Sequence, residues 1–288
     1  IWGENKVKKV IAIIIIVLIV YVAGSVFVSY NYLAVNEFSV DTGKCGEAVT
    51  AVVISDLHDH EFGADNWRLA EKIEEIQPDL ILMDGDMLNE ASEDASVPLE
   101  LIGQLKDTAP VYYALGNHEL GYMENGHPEL TGELEAAGAV VLDKTYVDIE
   151  VNGNKVRIGG MYDYAFGLNG NNDASAAPSD TLSFLQEFQD TDSLKIMLAH
   201  RPDSFIFGDA SKVWDVDLVV SGHNHGGQVV IPFLGGLYGG DQGWFPEYIH
   251  GMYQKDKIRM FVTSGLGTHH EKLPRFNNPP EIAVLTIQ

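Results

Sequence analysis

Apolar and polar residues alternate along this chain in three regimes, and each predicts a different kind of structure. From Val10 to Val35 no residue is charged, and 10–22 is almost pure Ile, Val and Leu. A bilayer core takes about 20 apolar residues to cross, so the run predicts a transmembrane helix over 10–30. Residues 31–47, with Asn36, Glu37, Gly43 and Gly46, read as a polar linker. From residue 48 onward short β-branched runs alternate with amphipathic stretches. Strands are expected at 49–54, 80–83 and 111–114, with helices at 66–76 (Asn66 as N-cap) and 98–105.

The second half repeats strands with fewer helices. Residues 147–151 and 155–158, joined through Asn152, Gly153 and Asn154, carry a hairpin signal. A helix is expected at 179–188, and strands at 195–198, 218–220, 229–231, 260–263 and 282–287. The loop 167–179 is rich in Gly, Asn and Ser. Strands alternating with helices predict an α/β class with largely parallel pairing in the first half, and a second sheet packed on it.

The flanks of the apolar run set an orientation. Lys6, Lys8 and Lys9 precede it and Glu37 and Asp41 follow, so the positive-inside rule leaves 1–9 in the cytoplasm and the domain 48–288 outside. Tyr30 and Tyr32 fit an outer interfacial belt. A cleaved signal peptide, cut after Ala23 or Ser25, is the competing reading, although its apolar region is usually shorter. The chain opens on Ile1 rather than Met, so more sequence is expected upstream.

Composition narrows the partners. Of 288 residues 45% are hydrophobic and the formal net charge is −24; such acidity argues against nucleic acid, whose binding needs clustered Lys and Arg. Cys45 is the one cysteine, which rules out an intrachain disulfide and a thiolate metal site.

Five pieces carry the candidate chemistry: Asp56-Leu57-His58, Gly85-Asp86, Gly116-Asn117-His118, His200, and Gly222-His223-Asn224-His225. Each follows an apolar run where a strand would end, and strand ends of an open α/β sheet converge on one crevice. Carboxylates, imidazoles and an amide oxygen suit Zn, Mn or Fe. The i, i+2 spacing of Asp56 with His58, and of His223 with His225, would put each pair on one face of an extended segment. His118, next to Asn117, faces elsewhere and is available for proton transfer. His60, His127, His250, His269 and His270 lack this context and read as bystanders. Arg201 would contact a substrate phosphate or pair with Asp203. The aromatic stretch 233–253 would wall the site or merely pack a long loop.

In order and spacing these blocks, together with Glu119, resemble the calcineurin-like metallophosphoesterases over residues 48–288. The stretches 226–253 and 275–281 are similar to membrane-associated bacterial phosphoesterases of the YkuE/YaeI type. The resemblance implies a four-layer α/β sandwich with two central mixed sheets flanked by helices. It also implies two divalent ions. One would be held by Asp56, His58, Asp86 and His225, the other by Asp86, Asn117, His200 and His223. A hydroxide bridging them would attack the phosphate ester, with His118 assisting the leaving group and Glu119 supporting a ligand imidazole. Two further readings remain: a pyrophosphatase acting on lipid-linked or nucleotide-sugar envelope diphosphates, and a non-catalytic surface protein with a structural metal. The full ligand set disfavours the last, because structural sites close their coordination with protein atoms and leave no open position.

Overall fold

Period-two alternation in the central strands sends successive side chains to different cores, and this sets the layering. In Val49–Ile54, Val52 and Ile54 pack with the helical residues Leu69, Ile73, Leu101 and Leu134. Ala51 and Val53 turn the other way, onto Ile158, Ile196, Leu198 and Val220 of a second sheet. The far side of that second sheet, through Met197, Val219 and Met260, meets Phe184, Phe188, Phe205 and Trp214. Helices, sheet, sheet, helices: the order is the four-layer sandwich that the resemblance implies.

The computed structural model describes residues 2–268 and 273–288, so His269 and His270 lie outside the described residues. The chain begins with α1 (Trp2–Asn31), β1 (Ala34–Val40), β2 (Val49–Ile54), α2 (Trp67–Ile76), β3 (Leu80–Asp84) and α3 (Ser96–Leu105). It continues through β4 (Val111–Ala114), α4 (Asn117–Glu124), α5 (Leu130–Ala137), β5 (Ala139–Leu142), β6 (Thr145–Val151) and β7 (Asn154–Gly160). Next come α6 (Ser179–Gln189), β8 (Leu194–Leu198), α7 (Asp203–Ile206), α8 (Ala210–Val213) and β9 (Leu218–Ser221). Two small ribbons, β10 (Val230–Ile231) with β11 (Gly235–Gly236) and β12 (Tyr238–Gly239) with β13 (Gly243–Trp244), precede β14 (Gly251–Lys255), β15 (Ile258–Val262) and β16 (Glu281–Ile287).

The first sheet runs β1-β16-β2-β3-β4-β5 and the second β14-β15-β9-β8-β7-β6. Both are mixed. In the first, β16 is antiparallel to β2 while β2, β3, β4 and β5 are parallel. The hairpin expected from Asn152-Gly153 joins β6 to β7, with φ of 50° and 74° at the two turn residues, the left-handed pair that a tight hairpin requires.

Two expectations change. The segment read as linker contains β1, which pairs in parallel with β16 from Ala34↔Glu281 to Val40↔Ile287. Its half-exposed alternation (Asn36, Glu37 and Ser39 among apolar residues) is that of an edge strand, polar on the open side. Asn66 precedes α2 but has a left-handed φ of 60° and does not cap it; its Oδ1 accepts the Phe62 N–H instead.

Buried Glu281, at the start of β16, ties the sheets together. It accepts hydrogen bonds from Thr263 Oγ1, the Ser264 N–H and Asn36 Nδ2, and meets His250 Nε2 at 2.6 Å. Burial opposes charge on both partners, but their bond and mutual attraction win, so the His250 pKa is raised above 6.5 and that of Glu281 is lowered below 4.5. The stability His250 contributes is therefore fully present below 6.5 and lost as pH rises through its raised folded value; the Glu281 share is lost as acid protonates it below 4.5. Urea unfolding of wild type and His250→Gln should show a stability gap at mildly acidic pH that closes in alkali. A gap that is constant with pH would show that the pair carries no charge.

Candidate metal centre

The loops that follow β2, β3, β4, β8 and β9 meet at one end of the two sheets, and each brings one of the sequence blocks. Asp56, His58 and His225 have ligand atoms within 4.8 Å of one another, as do Asp86, His200 and His223; a third overlapping group joins His58, Asp86 and His118. Asp86 thus stands between two donor groups. Its Oδ2 is 3.0 Å from His200 Nε2 and 3.9 Å from His58 Nε2. Asp56 Oδ1 lies 3.7 Å from His225 Nε2 and 3.8 Å from His200 Nε2.

The backbone achieves this differently from the i, i+2 expectation. Asp56, His58, Asp86, His223 and His225 all have φ between 44° and 64°. None lies on a strand; tight left-handed turns, not a pleat, turn the side chains inward. Each such residue costs on the order of 1 kcal/mol, which the surrounding packing must offset, and strain of this kind concentrates at functional sites. Glycine lets the loops approach closely: a Cβ on Gly116 would collide with Asp86 Oδ1, and one on Gly85 would meet Gly116 N at 2.6 Å.

The supporting bonds are specific. Asn89 Oδ1 faces His58 Nδ1 at 3.1 Å, leaving Nε2 toward Asp86. His200 Nδ1 lies 2.5 Å from the Asp84 carbonyl, which leaves its Nε2 toward the cluster. Glu119 does not support an imidazole. Its carboxylate accepts the N–H groups of Asp86, Met87 and Gly116 and the Tyr113 hydroxyl, all at 2.7–2.8 Å, and so clamps the loop that carries Asp86. Asn117 and His118 open α4, where neighbours diverge by roughly 100° rather than 180°. His118 accordingly stays in the crevice, its ring edge-on to His58 at 4.6 Å, and its Nδ1 accepts the Glu90 N–H.

Electrostatics test whether these residues fit cations. Burial holds His58 neutral, its pKa down to about 3, and pushes His225 well below the usual range; neutral imidazole is the ligating form. Burial favours neutral forms at Asp86 and His200 too, but here their mutual attraction prevails, holding Asp86 below the carboxylate range and His200 well above the imidazole range. A proton on His200 neutralises the acids at the position a metal cation would serve. Buried atoms with no hydrogen-bond partner among the described residues include Asn117 Oδ1, His200 Nε2, His223 Nε2 and His225 Nδ1. His200 Nε2 is near Asp86 but not aligned for a hydrogen bond. A buried, mixed O/N donor set of this kind fits divalent metal.

Arg201 pairs with Asp241 rather than with Asp203. Its guanidinium lies over the rings of Tyr162 and Tyr164, at 4.3 and 4.1 Å, and bonds Asp241 at 3.2 Å. Asp241 also stands 3.6 Å from His223 Nε2. Buried Asp203 makes no side-chain hydrogen bond among the described residues, and burial raises its pKa to about 6. Sequence reasoning missed Asn89, which lies in no motif, and missed the place of Asp241, whose stretch carried the family resemblance but no role; their contacts with His58 and His223 reveal both. His250 is engaged with Glu281 and His127 stacks on Tyr122 at 4.1 Å, both outside the donor groups. His60 packs edge-on against Phe62.

A two-sheet α/β sandwich with a cluster of aspartates and histidines at its strand ends defines a class of metal-centred proteins. The chain belongs to the calcineurin-like phosphoesterase family, whose model matches residues 49–227. It is 27% identical over 261 residues to the uncharacterized metallophosphoesterase Cj0846 of Campylobacter jejuni, covering 88% of this chain and 63% of that one. It is 29% identical to the metallophosphoesterase YkuE of Bacillus subtilis (75% of this chain, 70% of that one), and 28% identical to the phosphodiesterase YaeI of Escherichia coli (74% and 72%). The chain thus spans just under two thirds of the Campylobacter relative's length.

Asn89→Ala should lower metal affinity by about 10–100-fold while leaving the ion capacity unchanged, since such outer partners only orient a ligand. Calorimetric titration of the metal-stripped protein with Mn²⁺ reads both quantities; unchanged affinity would remove Asn89 from the centre.

Proposed function

We propose that the chain is a membrane-anchored, metal-dependent phosphoesterase that hydrolyses phosphomonoesters or phosphodiesters. The observation that carries this reading is the place of Asp86 between two donor groups, with His118 alongside. Asp56, His58, Asp86 and His225 would hold one divalent ion, and Asp86, Asn117, His200 and His223 the other, the metal being Mn, Zn or Fe. When bound, two such ions supply an activated water and positive charge that offsets the charge of the reacting phosphate.

The remaining work falls to the protein. The Glu90 N–H occupies His118 Nδ1, so the neutral ring carries its proton on Nε2. To protonate the departing oxygen the ring must first be the imidazolium: His118 would take a second proton at Nδ1, giving up the Glu90 bond, and return to the neutral ring as Nε2–H passes to the leaving group. Glu119 holds the Asp86 loop rigid without touching substrate. Arg201, kept in place by two tyrosine faces and Asp241, offers a fixed cation beside His223 for a further phosphate oxygen. That second cationic position is the feature favouring a diphosphate ester, as in an envelope pyrophosphate, over a simple monoester. The relative YaeI, named a phosphodiesterase, supports ester hydrolysis.

The anchor rests on α1, of which residues 5–31 form an apolar helix of mean hydropathy 3.1 in its best window, with none of that window buried. Lys6, Lys8 and Lys9, at its start and ahead of the uncharged run from Val10, favour a cytoplasmic N-terminus and an extracytoplasmic catalytic domain.

His118→Ala should keep metal content and lose about 10²–10⁴ in kcat on alkyl phosphate esters. The loss should be far smaller on nitrophenyl esters, whose leaving group needs no proton. Equal losses on both would assign His118 to charge stabilisation instead of proton transfer.

A further inference from the structure

The helix α1 does not swing on a tether; its second half is bonded to the loop beside the metal centre. Tyr21, Ser25 and Ser29, spaced by four, share one helix face. Tyr21 Oη and Ser25 Oγ donate to Asn277 Oδ1, the Asn277 N–H donates to Ser25 Oγ, the Asn278 N–H to Ser29 Oγ, and the Arg275 N–H to the Tyr30 hydroxyl. Tyr21 also meets the Phe276 ring edge-on at 5.8 Å.

These contacts fix a depth. Val10 to Tyr21 rises roughly 16 Å along a helix at about 1.5 Å per residue, only about half of a ~30 Å hydrocarbon core. If Lys9 marks the inner surface, the residues bonded to Tyr21 and Ser25 lie within the outer leaflet rather than above it. From Ser29 to Tyr21 the partners pass from Asn278 to Asn277 and Phe276, and from there the chain pairs with β10. The Val230 N–H bonds the Phe276 carbonyl and Asn277 Nδ2 bonds the Val230 carbonyl. The turn joining β10 to β11 therefore starts at the level of Tyr21.

That turn is apolar and bare. Phe233 and Leu234 are 107% and 68% exposed, and Trp244 and Phe245, in the adjoining ribbon, 64% and 60%. Phe245 N–H bonds the Leu237 carbonyl, and Leu237 N–H bonds Gly227 and Val229, which joins the two ribbons. Phe233 and Phe245 adopt φ of 69° and 55°, a costly conformation for a bulky residue. Among the described residues neither the Phe233 nor the Phe245 ring meets another ring, and Trp244 meets the Tyr238 ring edge-on at 5.5 Å. With a net charge of −24 the chain gains nothing from anionic headgroups, so any membrane contact here is apolar.

We propose that Phe233, Leu234, Trp244 and Phe245 form a rim inserted into the outer leaflet, continuous with the apolar flank of α1. This inference rests on the membrane-anchored reading. The same segment borders the crevice: Gly240 abuts the His223 ring and Asp241 faces His223 Nε2. Insertion would hold the metal centre open to phosphate esters at the bilayer surface.

The test uses the full chain in zwitterionic phosphatidylcholine vesicles, in a Cys45→Ser background, with an environment-sensitive fluorophore at Phe233→Cys, Ile15→Cys or Val140→Cys. Val140 lies on β5, the sheet edge remote from β1. Brominated acyl chains should quench the labels at 233 and 15 and spare 140, while aqueous iodide should quench 140 alone. Bromine quenching at 15 with iodide quenching at 233 would overturn the rim and leave the anchor standing. Iodide quenching at 15 would overturn the anchor, and the rim with it. A label at 233 shielded from both quenchers would mean that protein, such as a second copy of this chain, covers the rim, and would also overturn the inference.

Discussion

Four carboxyl groups, Asp56, Asp84, Asp86 and Glu119, are buried together at one end of the two sheets. Burying like charges side by side is among the costliest arrangements in a protein unless cations or protons neutralise them. Burial pushes Asp56, Asp84 and Glu119 toward the protonated form, while Asp86 keeps its charge against His200. Much of the local architecture answers that constraint. Glu119 draws four donors to itself, Gly85 and Gly116 let two loops touch, and left-handed turns bring the imidazoles round the acids. A divalent cation resolves the repulsion more completely than one shared proton, which connects the strained frame to metal-centred chemistry.

The second dependence runs from the centre outward. Asn278 Nδ2 donates to the His225 and Gln228 carbonyls, while its own N–H donates to Ser29 on α1. Arg275, fully buried and without a carboxylate partner among the described residues, bonds the carbonyls of Ser264, Gly265, Gly267, Asn278 and Pro279. Gly267 N–H in turn bonds the Asp56 carbonyl. The helix, the segment 275–280 and two donor residues thus form one bonded unit. Movement of α1 would be felt at His225 without any side chain of α1 entering the crevice.

Most of the frame was legible in the sequence. The strands β2 and β4 have the bounds expected from their runs of β-branched, aromatic and small apolar residues, because a strand buried on both faces shows few polar residues. The edge strand β1 was hidden by its polar alternation, and α4 escaped because its first turn is made of site residues. The gathering of Asp56, His58, Asp86, His118, His200, His223 and His225 in one crevice was legible, since all lie just past strand ends. The backbone that gathers them was not, because left-handed turns at Asp56 or His225 leave no periodic trace. Asn89, Asp241 and the amide-clamping role of Glu119 depend on contacts between loops distant in sequence, which spacing cannot reveal.

The central claim is that Asp86 is shared by two cations. The most direct measurement is anomalous diffraction at the manganese edge from crystals of the full chain grown with Mn²⁺. Two peaks in the crevice are expected, one between Asp86 and the Asp56, His58 and His225 group, the other between Asp86 and Asn117, His200 and His223. A single peak, or two that leave Asp86 uncontacted, would contradict the account.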